Sequence, residues 1–148
     1  MLLVSFECTL FLLSQFEPAR SQTMTLDLQA TVFSDHVRFN FTGDFAFLEL
    51  MKHIETIKER ASAASRNLAL IDARGVVGFF SESEKFFAGA KIAEIFGSKL
   101  KAAVIARPGE VTKLGEMAAL NRGARLLVTE DEAEAVEWLF KAPGQTAS

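Results

Sequence analysis

Three short apolar runs constrain this chain more than any other feature. NLALIDAR (67–74), KAAVIAR (101–107) and ARLLVT (124–129) are nearly continuous rather than alternating. A strand with one wet face alternates apolar and polar residues. A strand covered on both faces by crossover helices does not, because neither face tolerates polar side chains. Helical stretches separate the runs at Glu82–Phe96 and 110–121, and another follows at 130–140. Strands alternating with such helices require right-handed crossovers and a mainly parallel sheet.

Upstream, LDLQATVF and HVRFNF do alternate: Leu26, Leu28, Ala30 and Val32, then Val37, Phe39 and Phe41. Ser34-Asp35 is a turn pair, so these two strands form an antiparallel hairpin whose first strand lies at a sheet edge. Asp44 is placed to cap the first helix, in which Phe47, Leu50, Ile54, Ile57 and Ala61 share one face. Gly97 and Gly123 sit just past the next two helices, and Thr129 with Glu132 has capping-box spacing before the last. The predicted order is β-β-α-β-α-β-α-β-α, an α/β fold with a mixed, mainly parallel sheet, an N-terminal β-hairpin and four helices.

Residues 24–141 form the one expected domain, and 142–148 read as a disordered tail. Residues 1–23 are apolar as far as Phe16. They carry no Lys or Arg before the apolar run and are interrupted by Glu7, unlike a secretory signal. The run is also shorter than the roughly 20 residues of a membrane span. Met24 directly precedes the first patterned strand, so 1–23 read as an upstream start. A poor signal peptide or a helix docked on the domain are the alternatives.

The charge of −3 at 148 residues carries no basic stripe, which argues against nucleic-acid binding. Cys8 is the single cysteine, so no intramolecular disulfide and no cysteine zinc cluster can form; this fits a reducing compartment such as the cytoplasm. His36 falls in the hairpin turn and His53 on a helix flank, too far apart in pattern to make a metal site. RGVVG lacks the Lys-Ser/Thr of a phosphate loop and the three glycines of a dinucleotide site. No cofactor is implied, no nucleophile–base arrangement is apparent, and the expectation is a non-enzyme.

The segment VVGFFSESEKFFAG (76–89) holds the sharpest local signal. Ser81 and Glu84 have S-x-x-E spacing ahead of Phe86-Phe87, a capping box. On a helical wheel Phe86, Gly89, Ala90, Ala93 and Phe96 share the arc assigned to the sheet. Phe87 falls on the other side and, with Ile95, is expected to face solvent. Phe79 or Phe80 is placed to act as a hydrophobic staple. In the last helix, one of Trp138 and Leu139 should pack on the sheet and the other flank it.

Over 26–140 the chain resembles a STAS-like domain of the SpoIIAA-like group, relatives of anti-sigma-factor antagonists. NLALIDARGVVGFFS resembles that group's third strand and following turn, and LKAAVIARPGE its fourth strand. NRGARLLVTEDEAEAVEWLF, with its EA-x-x-WL helix, is the most specific match. The resemblance implies a SpoIIAA-type fold and a non-enzymatic regulatory role. It also implies that a serine at the start of the second helix, Ser81 or Ser83 here, is the position a partner kinase would phosphorylate. The Asp-Ser-Gly-like stretch of the phospho-switch proteins is absent, and Glu82 and Glu84 would repel an added phosphate. Neither serine is therefore expected to be a regulatory phosphosite. The group is also likened to CRAL-TRIO lipid-transfer domains, which implies an apolar ligand site.

The C-terminal strand ends, where ligands collect in open α/β sheets, should gather Asp72, Arg74, Ser81, Arg107 and Thr112. A helix starting at Glu110 would favour an anion there. Arg74 and Arg107 either serve such an anion or simply pair with Asp72 and Glu110. With 14 Phe and no Tyr, the chain fills its core with rings that need no hydroxyl partner; the rival reading is an apolar cavity lined by Phe79, Phe80 or Phe86. Two functions follow. The first is a protein-interaction domain whose partner is another protein or a second copy of the chain, using a patch around Phe87. The other is a binder of a small apolar or lipid-like ligand in a Phe-lined pocket near Gly75 to Ser81. A chain beginning at Met24 should melt as cooperatively as the full chain; calorimetry showing a substantially lower melting temperature would place 1–23 in the core.

Overall fold

The computed structural model describes residues 25–141; the expectations for 1–23 and 142–148 lie outside the described residues. Five strands pair in chain order in one sheet. They are β1 (Leu26–Val32), β2 (Val37–Asp44), β3 (Leu68–Val77), β4 (Lys101–Ile105) and β5 (Leu126–Thr129), interspersed with α1 (Phe47–Ala63), α2 (Glu82–Phe96), α3 (Leu114–Leu120) and α4 (Glu132–Phe140). Only β1 runs antiparallel, at the edge, with Leu26 opposite Gly43 and Val32 opposite Val37. The other three pairings are parallel. The predicted order, the hairpin and the mainly parallel sheet are all present.

The two faces of the sheet are covered unequally. Leu26, Leu28, Val37, Phe39, Phe41, Ala69, Ile71 and Ala102 meet Ile54, Ile57 and Ala61 of α1 and Ala88, Ala93 and Phe96 of α2 in the main core. On the other face Leu70, Ala103 and Ile105 meet Ala135 and Leu139 of the single helix α4, with Val136 and Trp138 packed at the margin. The continuous apolar runs reflect this double cover. Leu139 packs on the sheet, while Trp138 flanks it with the Lys101 ammonium 4.5 Å from its ring centre.

One irregularity governs the functional end. Between Asn40 and Thr42 on β2, the partners on β3 step from Asp72 to Gly75, so β3 carries one extra residue. A bulge reverses the inside–outside phase of everything after it. Val76 therefore turns into the core and Val77 is 61% exposed. Gly75 sits where a Cβ would lie 2.9 Å from the Phe41 carbonyl oxygen and 2.9 Å from Thr42 Cγ2.

The bulge lets β3 run three residues past the predicted end at Arg74, and this corrects the expected cap of α1. Asp44 stays in the sheet, its N–H donating to Thr25 O at 2.9 Å, and the Phe45 N–H donates to Val77 O at 2.8 Å. The N-cap is Ala46, with no side-chain hydrogen bond. In the first turn, the Glu49 carboxylate instead accepts the N–H groups of Thr25 (3.0 Å) and Leu26 (2.8 Å), fastening the start of β1.

Two further boundaries differ from expectation. The helix expected from Glu110 begins only at Leu114, after Lys113 at φ 67°. The Glu110 N–H closes a turn onto Arg107 O, and the Glu110 carbonyl accepts from Lys85 Nζ at 2.9 Å, so 110–113 crosses the sheet end as a loop. The cap of α4 is Asp131, which accepts the Ala133 N–H at 2.9 Å. Thr129 is buried, accepts the Asp131 N–H and donates to the Glu134 carboxylate, while Glu132 is engaged elsewhere.

Helix α2 leans on α3 through glycine. A Cβ on Gly89 would lie 2.0 Å from Gly115 O, and one on Gly115 would lie 2.7 Å from Lys85 O. Backbone meets backbone there, so neither site can yield by moving a side chain. Gly89→Ala should destabilise by about 1–3 kcal/mol, despite the usual helix preference for alanine. Urea unfolding of that variant measures it; unchanged stability would mean that the two helices do not approach this closely.

Candidate functional site

The end of the molecule at the C-terminal edges of β2, β3 and β4 is built by the segment from Val77 to the first turns of α2. Ser81 caps α2 with both halves of a capping box. Its Oγ accepts the Glu84 N–H at 3.2 Å, and the Glu84 carboxylate accepts the Ser81 N–H and the Ser81 hydroxyl, each at 2.9 Å. Ser81 is half-buried and committed to these bonds, whereas Ser83 is exposed, its hydroxyl 3.3 Å from that of Ser81.

The aromatic residues of this end take separate places. Phe80 packs on Phe45 with ring centres 4.6 Å apart, across from the entry of α1, rather than stapling α2. The residue one turn into the helix that a staple needs is Lys85. Phe79 is 79% and Phe87 56% exposed. Phe86 corrects the wheel: it is half-buried, edge-on to Phe87 at 5.7 Å and 5.3 Å from the Arg122 guanidinium. The buried arc of α2 is Ala88, Gly89, Ala93 and Phe96, because the glycine contact with α3 sets the rotation of the helix. Ile95 is likewise half-buried against the core rather than solvent-facing.

The charged residues expected to converge divide between the two faces of the sheet. Asp72 and Arg74 point to the α4 side. Arg74 donates to Asp72 (2.8 Å) and to Glu132 (2.8 Å), and Arg38 donates to the same two carboxylates at 2.8 and 3.1 Å. The Arg74 hydrogen bond holds the Asp72 carboxyl below its ordinary value, and the Arg38 and Arg74 hydrogen bonds do the same for Glu132. Two cations and two carboxylates satisfy one another, a latch between β2, β3 and α4.

Arg107 and Thr112 lie on the opposite side of the sheet, with Phe80, around an apolar cavity of about 170 Å³. Phe41, Phe45, Ile71, Val76, Ile92 and Val104 are among its walls, and Phe96 lies deeper. Phe79 and Phe86 do not line it. Arg107 donates to Gly78 O at 2.8 Å and sits 3.8 Å from Glu110. Thr112 is exposed at the mouth. Sequence reasoning singled out neither Phe45 nor Lys85 and Lys113, which also line the cavity. Small residues at Ala73, Ala88, Gly89 and Ala106 were the available signal for a void between sheet and helix.

No protein-family model matches the chain, and no curated protein matches it. Among solved structures, an anti-sigma factor antagonist from Mycobacterium paratuberculosis superposes with a TM-score of 0.55 over 79% of this chain and 96% of its own, at 14% identity. The fold is SpoIIAA-like. A SpoIIAA-like-fold protein from Shewanella loihica PV-4 is similar at 20% identity, with a TM-score of 0.46 over 78% of this chain and 93% of its own.

In this SpoIIAA-like domain the described residues hold no group of three or more His, Cys, Asp or Glu that could bind a metal ion. No helix among them is long and apolar enough to cross a membrane. His53 Nε2 lies 2.8 Å from Leu26 O, and His36 stacks on Phe33 beside Asp35, so both imidazoles have structural contacts.

Ser81→Ala removes the acceptor of the capping box and should cost about 1 kcal/mol, whereas Ser83→Ala should be nearly neutral; paired urea titrations separate them. The Arg38–Asp72–Arg74–Glu132 latch gives a pH signature. Both carboxylates are depressed in the folded state, so the unfolded chain takes up their protons first. Their contribution is complete above about pH 5 and is lost as the pH falls through about 4 towards the folded values. The slope of stability against pH in that window should flatten in Asp72→Asn, and an unchanged slope would show the latch is not formed.

Proposed function

We propose that the protein is a non-enzymatic regulatory domain that binds a protein partner through the end formed by the β3–α2 connection. One observation carries this reading. Leu48, Val77, Phe79 and Phe87 are 75%, 61%, 79% and 56% exposed. Leu48 and Phe87 sit near the starts of α1 and α2, and Val77 and Phe79 lie in the segment between β3 and α2. Phe87 shares a groove with Phe47 and Met51 of α1, and the Val77 carbonyl accepts the Phe45 N–H, so these residues stand at the same end of the molecule. Exposed apolar side chains gathered at one end of a fold are a mark of an interaction site, whereas single scattered ones are not. The likeness in fold to an anti-sigma factor antagonist supports a protein partner and a regulatory, non-catalytic role. The lone cysteine fits a cytoplasmic setting.

The capping box supports a role that does not depend on serine phosphorylation. A phosphate on Ser81 would remove the hydroxyl proton that the Glu84 carboxylate accepts and set a dianion beside the Glu82 and Glu84 carboxylates. A second reading, binding of a small apolar ligand, is favoured by the cavity beneath Phe80.

A photo-crosslinking residue at position 79 of the full chain, introduced in the source cells, tests the first reading. The expected product is one defined adduct with another polypeptide, reduced at least tenfold by Phe87→Asp with the melting temperature unchanged. Adducts only with a second copy of the chain would replace the partner by a homodimer, and no adduct at all would retire the reading.

A further inference from the structure

We infer that the cavity between the sheet and α2 is a binding site for a compact, uncharged apolar molecule of about six to ten carbon atoms. The inference deepens the second reading of function and rests on it. The void has a structural cause. Gly89 draws α2 against the backbone of α3 at Gly115, and Lys91 spans the wider α1–α2 gap with a 2.9 Å ion pair to Glu55. Beneath the drawn-aside helix the wall residues Ala73, Ala88 and Ala106 are too small to fill the space.

Size limits the ligand first. At about 170 Å³ the cavity is close to engineered cavities of ~150 Å³ that stay dry and take up benzene. A long acyl chain would not fit inside it.

Charge limits it next. Three cations stand at the mouth, and each is already satisfied. Lys85 pairs with Glu82 at 3.2 Å and donates to Glu110 O at 2.9 Å. Arg107 donates to Gly78 O at 2.8 Å and faces Glu110. Lys113 pairs with Glu116 at 3.0 Å and donates to Val128 O at 2.6 Å. A carboxylate or phosphate headgroup would have to displace these partners and then meet the carboxylates of Glu110 and Glu116, which also line the cavity. Polarity limits it last. Among the described residues no buried side-chain nitrogen or oxygen lacks a hydrogen-bond partner, so none inside needs a polar group on the ligand.

Titrations of the full chain with toluene, 1-octanol, octanoate and hexadecanoate, followed by methyl carbon–proton correlation spectra, test the inference. Toluene and 1-octanol should shift the methyl signals of Ile71, Ile92 and Val104 saturably. Octanoate should bind at least tenfold more weakly than 1-octanol, and hexadecanoate should not saturate the site. Val104→Phe fills the cavity and should abolish the shifts; Ala73→Leu, nearer the mouth, serves the same purpose if the first variant does not fold. Octanoate binding as tightly as 1-octanol, or saturation by hexadecanoate, would overturn the ligand class while leaving a cavity site in place. Shifts that persist in a folded, filled variant would overturn the location. No saturable shift with any of the four would end the second reading itself, and the partner-binding end, which lies outside the cavity, would be untouched.

Discussion

The extra residue in β3 beside Gly75 is the constraint on which the functional end depends. Without it, strand alternation would carry Gly75 and Val77 inward and leave Val76 in water. With it, Val76 closes the wall of the cavity and Val77 joins the exposed apolar end. The same residue keeps β2 and β3 paired as far as Asp44 and Val77, which in turn delays α1 to Phe47 and hands its first-turn carboxylate to the start of β1. Gly75 is what makes the bulge possible, since a side chain there would collide with Phe41 and Thr42. The bulge thus sets an outer surface and an inner space together, from one backbone step.

Helix placement supplies the other half. A helix pair that meets through glycine backbones approaches more closely than side chains allow, and here the close approach is between α2 and α3. The cost falls beneath α2, where the main core keeps an apolar void bordered by Gly89 and Gly115 themselves, and Lys91 joins α2 to Glu55 of α1 by an ion pair. Interiors are usually filled to the density of organic crystals, so a void of this size, walled by large apolar side chains and left open where alanine and glycine face it, is a departure the rest of the core must support. Phe39 and Phe96, both fully buried, and the double helix cover of β3 and β4 provide that support.

The charged groups show why an expected cluster can divide. Asp72 and Arg74 are two residues apart on one strand, so their side chains share a face, and that face belongs to α4. Arg107 follows the end of β4 and turns to the opposite side, where Gly78 O takes its guanidinium. All of these groups stand at the C-terminal ends of parallel strands. Only the face they take separates a structural latch from a cavity mouth.

By itself the sequence determined the element order, the hairpin, the parallel sheet and the Ser81–Glu84 cap. Each follows from patterns of period two or about 3.6, or from a hydrogen bond spanning three residues, and such local rules leave their mark on adjacent letters. The motif ending in EAVEWLF carried the resemblance to the fold for the same reason. Gly75 follows Asp72-Ala73-Arg74, where the apolar run ends, so the bulge there and its consequence for Val76 and Val77 needed the partner strand. The tertiary structure alone decided the rotation of α2, hence the half-buried Phe86 and Ile95, because that rotation is set by Gly115, a residue 26 positions after Gly89. It alone decided that 110–113 is a loop, since Lys85 takes the Glu110 carbonyl across two elements. The cavity, too, belongs to the tertiary structure: a void is a property of surfaces that do not meet, and no single segment of sequence records the distance between two others.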